Sequence, residues 1–222
     1  MALIKFDNVS KVYEEGEDVV RAMDGVSFEI KEGDFAAIMG PSGSGKSTLL
    51  SVLGVLNTPT GGKVLIDEIP VYELKSEKQA DFRFEYLGFI FQAFQLIPYL
   101  TAIENVMLPL SITKASNIEQ EKRSREVLEM VGLGDKINRL PDQLSGGEIQ
   151  RIAVARAIVN EPPIILADEP TGNLDSKNAV GVIELLKKLK DRGKTIIMVT
   201  HDMSIAKHAD YIIQIKDGKI LT

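Results

Sequence analysis

The 222-residue sequence contains no cysteine. That excludes disulfide staples, a thiolate metal site and a cysteine nucleophile, and it fits a reducing compartment. Basic residues are not in excess: 26 Lys and Arg stand against 32 Asp and Glu, a formal net charge of -6. A whole-surface nucleic-acid footprint needs clustered positive charge, so no nucleic-acid partner is expected. No apolar run approaches the roughly 18 residues that span a membrane, and the opening MALIKFDNVSKVYEEGED lacks the apolar segment of a secretory signal. Internal repeats, low-complexity tracts and long linkers are missing too. What remains is globular composition, 44% hydrophobic and 26% charged, in a length that suits one domain with room for a subdomain.

The first third reads as short strands at 2–6, 19–22, 26–30, 34–39 and 63–66, parted by Gly and acidic turns. The two-residue alternation of Val26, Phe28 and Ile30 predicts an antiparallel layer. Helix signals dominate the middle. Ser116-Asn117-Ile118-Glu119 is a capping box for a helix reaching about Val131, stopped by Gly132 and Gly134. The last third alternates: strand 164–167, helix 177–191, strand 195–200, a short helix and strand 211–215. Ala179, Val182, Ile183, Leu186 and Leu189 share one face of that long helix, which Gly193 ends. Such alternation predicts a parallel α/β sheet. The expected architecture is one domain over 1–222, with an antiparallel β layer at its N-terminal end and an inserted α-helical subdomain at about 75–160.

Gly40-Pro41-Ser42-Gly43-Ser44-Gly45-Lys46-Ser47-Thr48 matches GxxxxGK[ST]. An apolar strand (35–39) precedes it and an apolar helix (48–56) follows, the context a phosphate-binding loop requires. Glycines let successive N–H groups point at phosphate oxygens, and the helix N-terminus adds positive potential. Lys46 is placed to neutralise the β- and γ-phosphates, and the Ser47 hydroxyl to ligate Mg²⁺. The core is thus expected to be a P-loop NTPase. Residues 164–169, IILADE, form an apolar strand ending in two carboxylates. Asp168 is the candidate metal ligand, and Glu169 is the candidate that polarises an attacking water. An acidic turn capping a strand is common, so the loop gives this motif its weight. The Asn-Lys-x-Asp motif with which GTPases read their base does not occur.

Leu144-Ser145-Gly146-Gly147-Glu148 follows, before a predicted helix at 149–160 and ahead of the acidic strand end. Here the sequence resembles the ATP-binding cassette family, whose signature is LSGGQ. The phosphate loop, a Gln after an aromatic strand (Gln92 after 86–91), LSGG, the acidic strand end and a His after a strand (His201 after 195–200) occur in the family's order. The resemblance covers essentially the whole chain, and it implies ATP and Mg²⁺ as ligands. Tyr13 resembles the aromatic that stacks on adenine; as a core strand tyrosine it would instead be buried. Gln92 resembles the Q-loop glutamine that touches Mg²⁺ and senses the transporter, with a plain surface Gln as the other reading. Asn173-Leu174-Asp175 resembles the D-loop, and His201 the histidine that contacts the γ-phosphate. His208 has no such placement and is expected on the surface. Glu148 stands where the family commonly has Gln. It would add negative charge near ATP and modestly weaken dimerisation, so that restoring Gln would tighten it. Ala93, where close relatives often carry a second Gln, has no interpretation.

The resemblance implies a head-to-tail dimer, in which Ser145 and Gly147 of one copy close over ATP held by Lys46 of the other. Hydrolysis through Glu169 would release the dimer, and the helical insertion around Gln92 would pass the motion to an integral membrane permease subunit. Residues 91–106 and 167–175 are similar to the LolD/MacB/FtsE group, whose members serve lipoprotein release, macrolide or peptide export, or cell-division signalling. The expected location is cytoplasmic, peripheral on the inner face of the cell membrane. DNA-maintenance relatives split the same head with a long coiled coil or a zinc insertion, and translation-factor relatives carry two cassettes; the sequence shows neither. Leu96, Ile97, Tyr99 and Leu100 form an apolar patch beside Gln92, read equally as a docking surface or as subdomain core.

Overall fold

Apolar residues recurring on one face draw the N-terminal segment into two long antiparallel strands, β1 (Ala2–Glu15) and β2 (Asp18–Lys31). Ile4, Phe6 and Val9 on the first and Met23, Val26 and Ile30 on the second are buried. The structure is a computed structural model that describes residues 2–16 and 18–221; residues 1, 17 and 222 of the expected domain lie outside them. The Asp24-Gly25 pair, a turn by composition, does not divide two strands. β2 runs through it, with Gly25 at φ 65 and its N–H donating to Ser10 Oγ at 3.0 Å. The pairing with β1 slips between Val9 and Lys11. The pair therefore marks a bulge, whose extra residue bends the strand without ending it.

A second sheet carries the motifs. Its strands are β3 (Phe35–Met39), β6 (Leu87–Ile90), β7 (Ile164–Asp168), β8 (Thr195–Thr200), β9 (Tyr211–Lys216) and β10 (Lys219–Leu221), in the order β10-β9-β3-β8-β7-β6. All but the edge strand β10 run parallel. β4 (Gly61–Ile66) and β5 (Ile69–Pro70) complete the first sheet in the order β2-β1-β4-β5. Of the strands expected in the N-terminal layer, that at 34–39 belongs to the parallel sheet instead. Leu87–Ile90 lies inside the 75–160 span expected to be helical insertion, yet it pairs with β7. That span thus contributes a strand to the core sheet.

Helices α1 (Lys46–Leu53), α2 (Ser76–Tyr86), α3 (Ala102–Met107), α4 (Asn117–Met130), α5 (Gly146–Ile158), α6 (Ser176–Asp191) and α7 (Met203–Ala206) occupy the rest. The expected capping box opens α4, with Ser116 Oγ accepting from the Glu119 N–H. Two apolar cores result, and each central strand feeds both because successive side chains point to opposite faces. Ala36, Ile38, Ile164, Leu166, Ile197 and Val199 face the core that holds α1 and the antiparallel sheet. Phe35, Ala37, Ile165, Ala167, Ile196 and Met198 face the core that holds α3 to α6. The expected stripe of α6, from Ala179 to Leu189, is buried in the latter.

Leu166, in the middle of β7, is fully buried between β6 and β8. Leu166→Ala is expected to cost about 2–5 kcal/mol, the transfer loss plus a cavity. Val180→Ala, on the 46%-exposed outer face of α6, is expected to change stability by under about 0.5 kcal/mol. Denaturant midpoints of the two variants check the contrast.

Candidate functional site

Four parallel strands end level with one another: Met39 pairs with Thr200, Val199 with Asp168, and Ala167 with Ile90. The segments leaving those ends therefore gather at one edge, where open α/β sheets bind ligands. They surround a cavity of about 940 Å³ lined by Pro41, Ser42, Gly43, Gly45, Lys46, Ser47, Thr48, Gln92, Asp168, Glu169 and His201. Tyr13 lines it from the first sheet. The sequence placed all of these in one site, and the fold brings them together.

The loop between β3 and α1 depends on Gly45, which sits at φ 99 with its α-carbon against β2. A Cβ there would meet the Ala22 carbonyl at 2.2 Å, so no other residue fits without moving backbone. Lys46 is buried, and its Nζ donates to the carbonyls of Gly40 and Pro41 at 2.8 Å each. The ammonium is thereby fixed beside the loop's N–H groups, a concentrated positive site for phosphate oxygens. Gly40 and Ser44 do not line the cavity. Gly40 supplies a carbonyl to Lys46, and the Ser44 hydroxyl is buried without a partner.

On the acidic side, Glu169 holds φ 45, a conformation that is strained for a side-chain-bearing residue. Its N–H donates to the Val199 carbonyl at 2.9 Å, which secures the turn. Its Oε1 lies 2.7 Å from His201 Nδ1. The carboxylate is mostly buried while the imidazole is 67% exposed. The histidine thus orients the glutamate and leaves its other ring nitrogen free to reach into the cavity. Burial and the neighbouring Glu169 push the Asp168 carboxyl above its ordinary range, and Lys46 partly offsets them. Ser47, Gln92 and Asp168 offer hard oxygens to a cation on the same cavity. Among the described residues no cluster of three or more His, Asp or Glu could hold a metal unaided. This donor set fits Mg²⁺, which takes one or two carboxylates and completes its shell from phosphates and water.

Gln92 is exposed, its carbonyl accepting from Asn173 Nδ2 at 2.9 Å, so the two loops that follow β6 and β7 are tied. Tyr13 is 41% exposed and is not a core residue. Asn57 Nδ2 donates to its hydroxyl, and Lys11 Nζ stands 5.0 Å from its ring centroid. Arg21, Ala22 and Asp217 also line the cavity but lie on no phosphate motif. The one available signal was register, because Tyr13 pairs with Val20. His208 is half-buried rather than on the surface, with Nδ1 3.0 Å from Lys187 Nζ. The patch beside Gln92 divides: Leu96 packs on the helical core, while Tyr99 is 77% exposed.

The signature residues are the exception. Ser145, Gly146, Gly147 and Glu148 open α5 and none of them lines the cavity. Gly147 backs onto α6, where a Cβ would meet the Asn178 side chain at 2.3 Å. Glu148 is not the bare carboxylate the sequence suggested. Its Oε2 accepts from Ser145 N–H and Oγ at 2.8 and 2.9 Å, and its Oε1 pairs with Lys136 Nζ. The Lys136 ammonium, helped by the Ser145 amide, holds its carboxyl down to about 2. The expected weakening by a free negative charge therefore loses its basis.

Asp168 yields a prediction of sign. A carboxyl whose folded pKa is raised costs stability when ionised, so the Asp168 contribution to the stability of the nucleotide-free protein rises as pH falls through that pKa. Asp168→Asn removes the cost. It is expected to raise the melting temperature at pH 7 and flatten its pH dependence, while hydrolysis falls by at least about 10-fold. Calorimetry across pH beside a phosphate-release assay checks both.

Comparison with known proteins agrees with this geometry. The ABC transporter family model matches residues 23–172. The uncharacterized ABC transporter ATP-binding protein MJ0796 of Methanocaldococcus jannaschii is 49% identical over 223 residues, covering 98% of this chain and 95% of that one. The macrolide export ATP-binding/permease protein MacB of Aggregatibacter actinomycetemcomitans is 47% identical over 222 residues, all of this chain but 34% of its own length. A dimeric structure of a post-hydrolysis state of MJ0796 bound to ADP and Pi superposes with a TM-score of 0.91 at 48% identity, covering 99% of this chain and 97% of that one. A phosphate loop, an acidic strand end and a signature motif on one such fold make this chain an ATP-binding, ATP-hydrolysing member of the ABC transporter family, in the LolD/MacB/FtsE group.

Proposed function

We propose that the chain powers a partner membrane permease by ATP-driven head-to-tail dimerisation, in a system of the lipoprotein-release or macrolide/peptide-export type. The observation that carries this is the division of the machinery. Residues that follow four adjacent strands crowd one cavity, whereas Ser145 to Glu148 open a separate helix N-terminus outside it. A second set of donors for an anion has no phosphate to serve within one copy. A second copy, turned head to tail, supplies it. MacB joins ATPase and permease by its printed name, and MJ0796 is dimeric after hydrolysis; both support the reading. No helix among the described residues is long and apolar enough to cross a membrane. The proposal places the chain on the cytoplasmic face, held by its permease. The whole chain acts as one nucleotide-binding domain, and the helices between about 91 and 160 form the arm toward the membrane.

Within the site Tyr13 offers its exposed face to adenine, and residues 41–48 wrap the phosphates. Lys46 exchanges its loop carbonyls for phosphate oxygens, neutralising charge on the β- and γ-groups. Ser47 Oγ, the Gln92 side-chain oxygen and Asp168 would hold Mg²⁺, which would polarise the γ-phosphate as a Lewis acid. Glu169, aimed by His201, orients a water for in-line attack at the γ-phosphorus. The new P–O bond forms as the bond to the β-phosphate oxygen breaks, the water proton passes to the Glu169 carboxylate, and ADP and phosphate result. His201, through its free ring nitrogen, steadies the γ-phosphate.

Glu169→Gln is expected to lower turnover by about 10²–10⁴-fold, the range of a lost general base, with nucleotide affinity within a few-fold; phosphate release and equilibrium binding check it. Lys46→Ala is expected to abolish ATP binding. Ser145→Arg is expected to bind ATP normally and not hydrolyse it, and wild-type turnover in that variant would contradict the shared site.

A further inference from the structure

The loop before the signature motif carries a cation that the reaction described above does not use. Lys136 lies in the segment between α4 and the signature, and that segment is firmly mounted. The Lys136 N–H donates to the Leu133 carbonyl at 3.0 Å, and the Arg139 N–H returns to the Lys136 carbonyl at 3.0 Å. The same segment receives the first turn of α3, whose Ala102 and Ile103 N–H groups donate to the Arg139 and Ile137 carbonyls at 2.8 and 2.9 Å. From this mount Lys136 Nζ pairs with Glu148 Oε1, while the other oxygen of that carboxylate holds both the amide and the hydroxyl of Ser145. The Glu148 side chain is 16% exposed and that of Lys136 37%.

We propose that Lys136 is a positioning residue for the signature motif. By clamping the Glu148 carboxylate it sets Ser145, and it cancels the negative charge that Glu148 would otherwise turn toward the triphosphate of the partner copy. This rests on the head-to-tail reading. The chemistry separates the two roles of residue 148. A capping box works equally with Glu or Gln, since only an acceptor for the N-cap groups is needed. Only Glu brings a full charge, and a carboxylate beside the incoming nucleotide's phosphates, which stay net negative with Mg²⁺ bound, repels them in a partly desolvated site. Glu at this position therefore requires a local cation, and Lys136 is the group that supplies it. Unpaired, the carboxylate would be drawn outward to water and release Ser145; paired, it stays along its own helix, where the N-terminal dipole also favours it. In the closed dimer the Ser145 hydroxyl turns its proton from Glu148 to the partner's γ-phosphate, and the Lys136–Glu148 pair keeps the amide and the backbone in place while it does so.

The test uses the full chain in the Glu169→Gln background and reads two quantities: the affinity of Mg-ATP-driven association by sedimentation, and amide exchange at Ser145 in the nucleotide-free monomer. Lys136→Met is expected to weaken association about 10-fold and to speed Ser145 exchange. Adding Glu148→Gln to that variant is expected to restore both to within about 3-fold, because a neutral cap needs no cation. Lys136→Arg is expected to keep both near the parent. Rescue by Glu148→Gln separates positioning from a merely structural role, which a second substitution would not repair. Unchanged association and exchange in Lys136→Met, or a deficit that Glu148→Gln does not repair, would overturn the proposal. If the Glu169→Gln parent does not associate in ATP, the head-to-tail reading fails by itself, and Ser145 exchange across the same three variants still decides what Lys136 does.

Discussion

The site depends on one constraint: parallel strands in a sheet all deliver their carboxyl ends to the same edge. β3, β8, β7 and β6 are adjacent and end within a residue of each other. Whatever follows each strand must therefore share one cavity. The phosphate loop follows β3, His201 follows β8, Glu169 follows β7 and Gln92 follows β6 by two residues. Local contacts then refine the aim: His201 orients Glu169, and Asn173 ties the Gln92 loop to the loop after β7. The rest of the fold serves to keep those strands level, with two apolar cores clamping the sheet from opposite faces. The Glu169 turn is one of several places where a residue with a side chain holds a positive φ, and the one on the acidic side of the cavity; the Val199 carbonyl beside it restrains the turn.

The same constraint explains what the cavity lacks. α5 leads into the amino end of β7, and its own N-terminus packs on the segment that leaves β7, Gly146 against Leu174 and Gly147 against Asn178, so the signature residues lie outside the cavity. A helix start with Ser145 as its cap is a good anion site, but it cannot turn back to the phosphate loop of its own chain. On the proposed head-to-tail reading, association of two copies is the way in which both halves meet one nucleotide, and hydrolysis removes the group that joins them. Binding energy is thus converted to a change of assembly, as in other γ-phosphate switches.

Motifs whose physics is local were legible in the sequence. The loop from Gly40 to Thr48, the strand ending in Asp168 and Glu169, and the capping box at Ser116 each carry their geometry within a few residues. The apolar stripe of α6 was legible for the same reason, since a helix repeats its face without help from the rest of the fold. Features that depend on distant chain were not. Gly25 resembled a turn because only the pairing with β1 reveals the bulge. Residues 86–91 read as an aromatic strand, but only β7 beside Leu87–Ile90 shows that this strand belongs to the core sheet and not to the inserted subdomain. Arg21 and Asp217 reach the cavity through hairpin register, which no motif marks. Glu148 showed the sharpest contrast: its charge was visible, but the Lys136 that neutralises it lies twelve residues earlier, in a loop of no regular structure.

The central claim is that the two halves of the nucleotide site sit on different copies of the chain. Light scattering on Glu169→Gln and on Glu169→Gln/Ser145→Arg, each with and without Mg-ATP, tests it most directly. The account predicts a dimer from the first variant only when ATP is present, and a monomer from the second that still binds ATP. A dimer from both variants, or one that forms equally without nucleotide, would contradict it.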